Sequence, residues 1–243
     1  MKAVVLAAGM GSRLLPLTHD RPKPMVAVGG TPLLVRALDR LAEVGIAGAN
    51  VIVVTGYRRE VLEAGVTAAG HAPTFVFNEK YEPWNSFYSL ACARDAVAGD
   101  AFLTIEGDVL FDGTVLPRVL AARGPGVLAT VVRPDCDAEA MKVIADADGR
   151  ARALAKTLDP ALSMGEFIGI ARIDGALAGE VFDDLARFVD EGITHQYYDH
   201  SYHRLAERGA GPFYVEDIAD CLAVEIDDLD DLARAERLLG AEA

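Results

Sequence analysis

The feature that most constrains the fold lies at the start of the chain. Ala3-Val4-Val5-Leu6-Ala7 is an unbroken apolar run, suited to a strand buried on both faces, and it leads almost directly into Gly9-Met10-Gly11-Ser12-Arg13. A Gly-x-Gly turn behind a buried first strand lets backbone N–H groups approach a phosphate closely. Two common versions of that arrangement do not fit. A P-loop needs Gly-Lys-Ser/Thr at the opening of a helix, and this chain lacks it. A dinucleotide turn needs a third glycine and a continuous helix; here Leu14 takes the third glycine's place, and Pro16, Pro22 and Pro24 forbid a long helix. The segment must be an extended loop that carries Arg13 and Lys23 back over the strand end, the edge where open α/β sheets bind ligands.

The following segments alternate between apolar strands and helical patterns. Residues 31–44 read as a helix with Thr31 as N-cap, Pro32 in the first turn and Gly45 as the stop. Strands are expected at 51–54, 74–77, 101–105 and 127–132, and helices at 58–69, 86–96 and 114–122. This is the signature of an α/β fold: a Rossmann-like, mostly parallel sheet flanked by helices. Near residue 135 the pattern changes to a hairpin (141–145 and 151–156 around Asp148-Gly149), a strand at 167–173 and helices at 176–189 and 195–207. Strands at 213–215 and 222–226 and a helix at 229–239 complete the chain. No repeat or linker interrupts it, so a single domain over 1–243 with a small subregion after about 135 is expected.

Charge narrows the partners. The 243 residues carry a formal net charge of -14, which repels nucleic-acid backbones and anionic membranes. Against that background Arg13, Arg21 and Lys23 form a basic loop in which Asp20 is the one acid, a pattern suited to a small anionic ligand. No run approaches the roughly 18 apolar residues of a membrane span, and the first apolar run has no cleavage site after it. Cys92, Cys136 and Cys221 are odd in number and widely spaced, which points to a reducing cytoplasm rather than a disulfide framework.

Leu6-Ala7-Ala8-Gly9-Met10-Gly11-Ser12-Arg13-Leu14, continuing through Pro16-Leu17-Thr18 to Pro22-Lys23-Pro24-Met25, resembles the signature of sugar-phosphate and choline-phosphate nucleotidyltransferases. Thr55-Gly56-Tyr57 resembles that family's TGY turn. The stretch from Asn78 through Tyr81, Trp84, Asn85 and Ser86 to Tyr88-Ser89-Leu90 is similar to its phosphocholine and phosphonate cytidylyltransferase branch, with Ser86 where the pattern has a second Asn. Glu106-Gly107-Asp108, Gly165-Glu166-Phe167-Ile168-Gly169 and Glu225-Ile226-Asp227-Asp228 resemble later family motifs in the expected order.

The resemblance implies a Mg²⁺-dependent nucleotidyltransferase that takes an NTP and a small phosphorylated or phosphonate acceptor. Residues 1–134 would be the nucleotide-binding part, and 135–243 would bind the acceptor and complete the metal site. It assigns Arg13 and Lys23 to the phosphates in catalysis, and Leu6, Ala8, Gly9, Gly11, Ser12, Asn85, Ser86 and Gly107 to the nucleotide. Asp108 and Asp227 each end an apolar strand, and together they would pinch one Mg²⁺; as isolated residues they read equally as a turn residue and a helix cap. Asp228 reads as the cap of the last helix.

For the acceptor the candidates are Trp84 and Tyr88, with Tyr81 beside them as a potential aromatic face for a quaternary ammonium, and Lys142, Lys156 and Glu166. Each reads equally as ordinary surface or packing. His195, His200 and His203 invite a zinc reading, but a helix packing its tyrosines beside the pocket or a subunit interface fits their spacing better. A homodimer is left open.

CMP transfer from CTP is the leading reading. Sugar-1-phosphate nucleotidyl transfer from UTP, dTTP, ATP or GTP is the alternative. A noncatalytic nucleotide-binding regulator is a third, disfavoured because Arg13, Lys23, Asp108 and Asp227 are all present.

Overall fold

The computed structural model describes residues 1–209 and 211–241. Its strands are β1 (Lys2–Ala7), β2 (Ala27–Val28), β3 (Thr31–Pro32), β4 (Val51–Thr55), β5 (Thr74–Phe77), β6 (Phe102–Glu106) and β7 (Val109–Phe111) in the first part. β8 (Gly126–Val132), β9 (Lys142–Ala145), β10 (Ala151–Ala155), β11 (Gly165–Ile173), β12 (Phe213–Asp217) and β13 (Ala223–Glu225) follow. The helices are α1 (Leu33–Glu43), α2 (Arg59–Ala68), α3 (Ser86–Cys92), α4 (Arg94–Val97), α5 (Val115–Ala121), α6 (Gly175–Asp190), α7 (Asp199–Arg208) and α8 (Leu229–Ala241). Among the described residues no helix is long and apolar enough to cross a membrane.

β5, β4, β1 and β6 run parallel, with β1 paired to β4 on one side and β6 on the other. β11 then pairs antiparallel with β6 and with β8, and β12 lies parallel to β8. The β9–β10 hairpin joins the first residues of β11. The sheet is therefore a Rossmann-like, mostly parallel α/β sheet, as the alternating pattern implies. One apolar cluster packs α3, α6 and α7 on one face, and a second packs α1, α2 and α5 on the other. The continuous apolar character of β1 and β4 follows from being covered on both sides.

Three elements differ from the sequence expectation. Thr31 does not cap α1: Thr31–Pro32 pairs with Ala27–Val28 in a two-residue hairpin over Gly29-Gly30, so the helix starts at Leu33. Residues 86–96 are two short helices rather than one, with Ala93 between them. α7 begins at Asp199 rather than 195, after a turn that carries Tyr197.

Candidate functional site

A third apolar cluster determines where the site forms. Leu14, Val26 and Val28 of the proline-rich loop pack with Leu33, Leu110, Val224, Ile226 and Ala235. This anchors the loop on the two-stranded β7–β13 ladder, in which Glu225 faces Val109 and Ile226 N donates to Asp108 O at 3.1 Å. Asp108 and Asp227, distant in sequence, thus emerge side by side. Asp228 is left to cap α8: its carboxylate accepts from Asp230 N and Asp231 N, and Asp231 accepts from the N–H groups of Asp227 and Asp228 in return.

Lys23 lies between the two site carboxylates. Its Nζ is 2.6 Å from Asp108 Oδ2 and 2.6 Å from Asp227 Oδ1, and Arg13 Nη2 is 2.8 Å from Asp227 Oδ2. Burial alone would lower the Lys23 pKa, but the two carboxylates outweigh it and hold the lysine above its ordinary value. Burial would likewise push Asp227 up; Lys23 and Arg13 overcome it and hold the carboxyl below its ordinary value. Gly11 makes this approach possible. Its φ is +68°, and a Cβ there would lie 2.6 Å from Lys23 Cβ.

The same edge carries more carboxylates. Glu106, Asp108 and Glu225 each offer an oxygen within 4.8 Å of the others. Asp108 Oδ1 is buried without a hydrogen-bond partner. Burial and the neighbouring carboxylates push Glu106 and Glu225 well above the ordinary carboxyl value. Gly169 leaves room for Glu106, because a Cβ at that position would come within 2.7 Å of the glutamate side chain. A buried, unpartnered carboxylate oxygen beside further carboxylates suits a hard divalent cation such as Mg²⁺.

These groups line a cavity of about 360 Å³. Of the residues assigned to phosphate and nucleotide, Leu6, Ala8, Gly9, Gly11, Ser12, Arg13, Lys23, Asn85 and Ser86 line it. Gly107 does not: its N–H is committed to Leu6 O at 2.9 Å, a packing role between β1 and β6. Asn85 caps α3, its Oδ1 accepting from Ser86 N at 2.7 Å, and Ser86 Oγ accepts from Tyr198 N. Asn78 is buried and holds the motif together through Ser89 Oγ and Lys80 N.

The acceptor assignments divide. Trp84 and Lys156 line the cavity, as does Tyr81. Tyr88 is turned away: it packs edge-on against Trp84 at 4.7 Å and lines a separate apolar depression with Cys92 and Phe182. Lys142 is buried rather than solvated, its ammonium satisfied by Ala140 O at 3.2 Å and Lys156 O at 2.6 Å, so it has no reach into the cleft. Glu166 lies in an adjoining cavity of about 150 Å³, bridged to Arg133 at 2.8 Å; Glu225 and Asp227 line both cavities.

The histidines do not converge on a metal: His200 is stacked between Phe188 and His203, and His203 Nδ1 accepts from Leu154 N. Glu106, Glu225 and Tyr197 are cleft residues that the site assignments left out. The two glutamates open the motifs that contain Asp108 and Asp227, whereas Tyr197 sits on a turn within the span 195–207 that the sequence pattern predicts as helix.

The family model for the MobA-like NTP transferase domain matches residues 3–167. Among curated proteins, the CMP-5'-(3-aminopropyl)phosphonate synthase of Streptomyces rubellomurinus is 34% identical over 97% of this chain, and the match takes in 38% of that protein's own length. The choline-phosphate cytidylyltransferase of Streptococcus pneumoniae is 38% identical over 40% of this chain and 41% of its own. Among solved structures, the CTP:phosphocholine cytidylyltransferase of Streptococcus pneumoniae superposes with a TM-score of 0.80 at 25% identity, covering 98% of both chains. A glycine loop, a buried lysine and paired carboxylates gathered at one sheet edge thus coincide with a family match over most of the sequence, and the chain belongs to the MobA-like NTP transferase family of nucleotidyltransferases.

Proposed function

We propose that this chain transfers CMP from CTP to a small phosphorylated or phosphonate acceptor and releases pyrophosphate. The observation that carries the reading is the Lys23 ammonium held between Asp108 and Asp227 beneath the glycine loop, in one cavity with Arg13. The cytidylyl choice is supported by what the phosphonate and choline-phosphate relatives are named for.

In this reading an oxygen of the acceptor's anionic phosphoryl group attacks the α-phosphorus of CTP. The bond to the bridging oxygen breaks, and pyrophosphate departs with the electron pair. The nucleophile is already an anion, so no side-chain base is required, and the protein contributes position and charge. Lys23 moves from the carboxylates to the α-phosphate, and Arg13 holds the departing phosphates. Asp108 and Asp227, with Glu106 and Glu225 beside them, would hold Mg²⁺, which when bound neutralises phosphate charge. Residues 1–134 supply the nucleotide side and 135–243 the acceptor side.

Initial rates of pyrophosphate release with four NTPs, against phosphocholine, an aminoalkylphosphonate and a sugar 1-phosphate, test the reading. CTP is expected to lead by about 5- to 150-fold, the value of one mismatched buried hydrogen-bonding pair at about 1–3 kcal/mol. Equal or faster turnover with another NTP removes the cytidylyl assignment. A sugar 1-phosphate with UTP as the best pair would replace it with uridylyl transfer.

A further inference from the structure

Ser86 is the position at which the stretch from Asn78 to Leu90 departs from the pattern it resembles, and its hydroxyl bonds outside that stretch. Ser86 Oγ accepts from Tyr198 N at 3.3 Å. Tyr198 is fully buried and directly precedes α7, and among the described residues this hydroxyl is the one acceptor its N–H finds. Two backbone bonds run beside it: Asn85 N donates to Thr194 O at 2.9 Å, and Phe87 N donates to Gln196 O at 3.4 Å. Residues 85–87 and 194–198 are thus joined by three successive rungs, with donors on both sides.

Neither side holds its shape alone. α3 has seven residues, fewer than the roughly 12–15 that an isolated helix needs in water. The leading N–H groups of a helix have no partner within it, and here Thr194 O and Gln196 O accept from two of them. The chain between α6 and α7, from Glu191 to Tyr198, forms no helix or strand of its own. Asn85 and Ser86 line the main cavity from the nucleotide part of the chain, and Tyr197, just ahead of the Tyr198 rung, lines it from the other part. A ligand seated against Asn85 and Ser86 therefore restricts both sides of the ladder at once.

We propose that Ser86 is a positioning residue that couples the nucleotide side of the cleft to the acceptor side: through its bond to Tyr198 N, a nucleotide seated against the first turn of α3 fixes residues 194–198, and with them Tyr197 and the start of α7. The coupling needs no displacement of either side. Order imposed by the first ligand is entropy that the second no longer loses on binding, and the effect is reciprocal. The proposal rests on the nucleotidyl-transfer reading of the same cleft and deepens it.

The test follows amide hydrogen exchange residue by residue in the full chain with Mg²⁺, without nucleotide and with α,β-methylene-CTP or α,β-methylene-UTP. Wild type, Ser86→Ala and Ser86→Thr are compared, with no acceptor and no turnover. The reporters are the amides of His200 and Ser201, which donate to Tyr197 O at 3.3 Å and Tyr198 O at 3.0 Å and so register the order of that turn. In the wild type the CTP analogue is expected to slow their exchange about fivefold or more. Ser86→Ala should speed their exchange without nucleotide and reduce the effect of the analogue to below about twofold. Ser86→Thr keeps the hydroxyl and should follow the wild type.

Protection of the glycine loop by either analogue, with His200 and Ser201 unchanged in the wild type, overturns the proposal, and does so even if Ser86→Ala folds poorly. An exchange rate in Ser86→Ala that rises by the same factor with and without the analogue also overturns it, because that is the mark of a bond that only supports the fold. Protection of both regions by the UTP analogue in place of the CTP analogue keeps the coupling and sinks the cytidylyl choice alone. Protection of neither region by either analogue overturns the nucleotide reading and the coupling together.

Discussion

Lys23 bonds two carboxylates that a divalent cation would also need, so the lysine and the cation compete for Asp108 and Asp227. Lys23→Ala is therefore expected to have two opposite effects. Turnover should fall about 10²–10³-fold, the usual cost of removing one preorganised donor, with kcat affected more than KM because the charge acts on the α-phosphate in the transition state. Mn²⁺ affinity without nucleotide should rise, because two carboxylates lose their internal counter-ion; isothermal titration with Mn²⁺ measures it. A variant in which KM alone changes, or in which Mn²⁺ binding weakens, contradicts this account. Asp108→Asn and Asp227→Asn should each lower turnover by orders of magnitude with the circular-dichroism spectrum retained. Near-normal activity of either at saturating CTP would remove that residue from the site.

At the level of elements, the sequence was most readable where a strand or helix is specified by its own residues. The buried strands β1, β4 and β6 follow from apolar runs, as does the half-exposed edge strand β5, and α8 with its Asp228 cap follows from local capping chemistry. In the β7–β13 pair only one member is legible: β13 falls within the apolar run 222–226, whereas β7 is three residues long and exists because β13 pairs with it. The Gly29-Gly30 pair was an available hairpin signal that the helix reading of Thr31 overrode.

One inter-element tie of this hidden kind is Asp184 on α6, whose side chain is fully buried. It accepts from Arg208 at 2.7 Å and lies 3.5 Å from Arg204, clamping α7 onto α6. Asp184→Ala breaks that clamp, but the arginines it releases are partly exposed and reach water. The loss should be about 1.5–3 kcal/mol, the range for a charged hydrogen bond rather than for a stranded buried charge. Urea denaturation measures it, and a change under 0.5 kcal/mol would show the contact to be dispensable.

On the scale of the whole molecule, the sheet order is what makes a site from three separate motifs. β1 lies between β4 and β6, so the glycine loop, the TGY turn and the Glu106–Asp108 strand end open at one edge; Tyr57 N bonds Ala8 O at 3.0 Å across it. The motifs gave the residues of that edge, but not that Lys142 and Tyr88 face elsewhere or that Tyr197 faces in, because those directions depend on packing between α3, α7 and the β9–β10 hairpin. The packing that aims Tyr197 also buries its neighbour Asp199, at 4% exposure. Burial pushes this carboxyl up to about 7; Lys156 offsets part of the effect and Glu225 adds to it. The folded state therefore keeps a proton that the unfolded chain releases near 3.8, so stability is fully present below that pH and is lost as pH rises through about 7. The whole loss is on the order of 4 kcal/mol at most. Asp199→Asn removes the titration while keeping the shape and an acceptor oxygen. Its stability relative to the wild type should therefore climb between pH 4 and pH 7 and level off above, as urea denaturation at pH 5 and pH 8 would measure. An offset that is constant across that range would mean that Asp199 is charged in the folded protein throughout, held by Lys156 more firmly than burial opposes it.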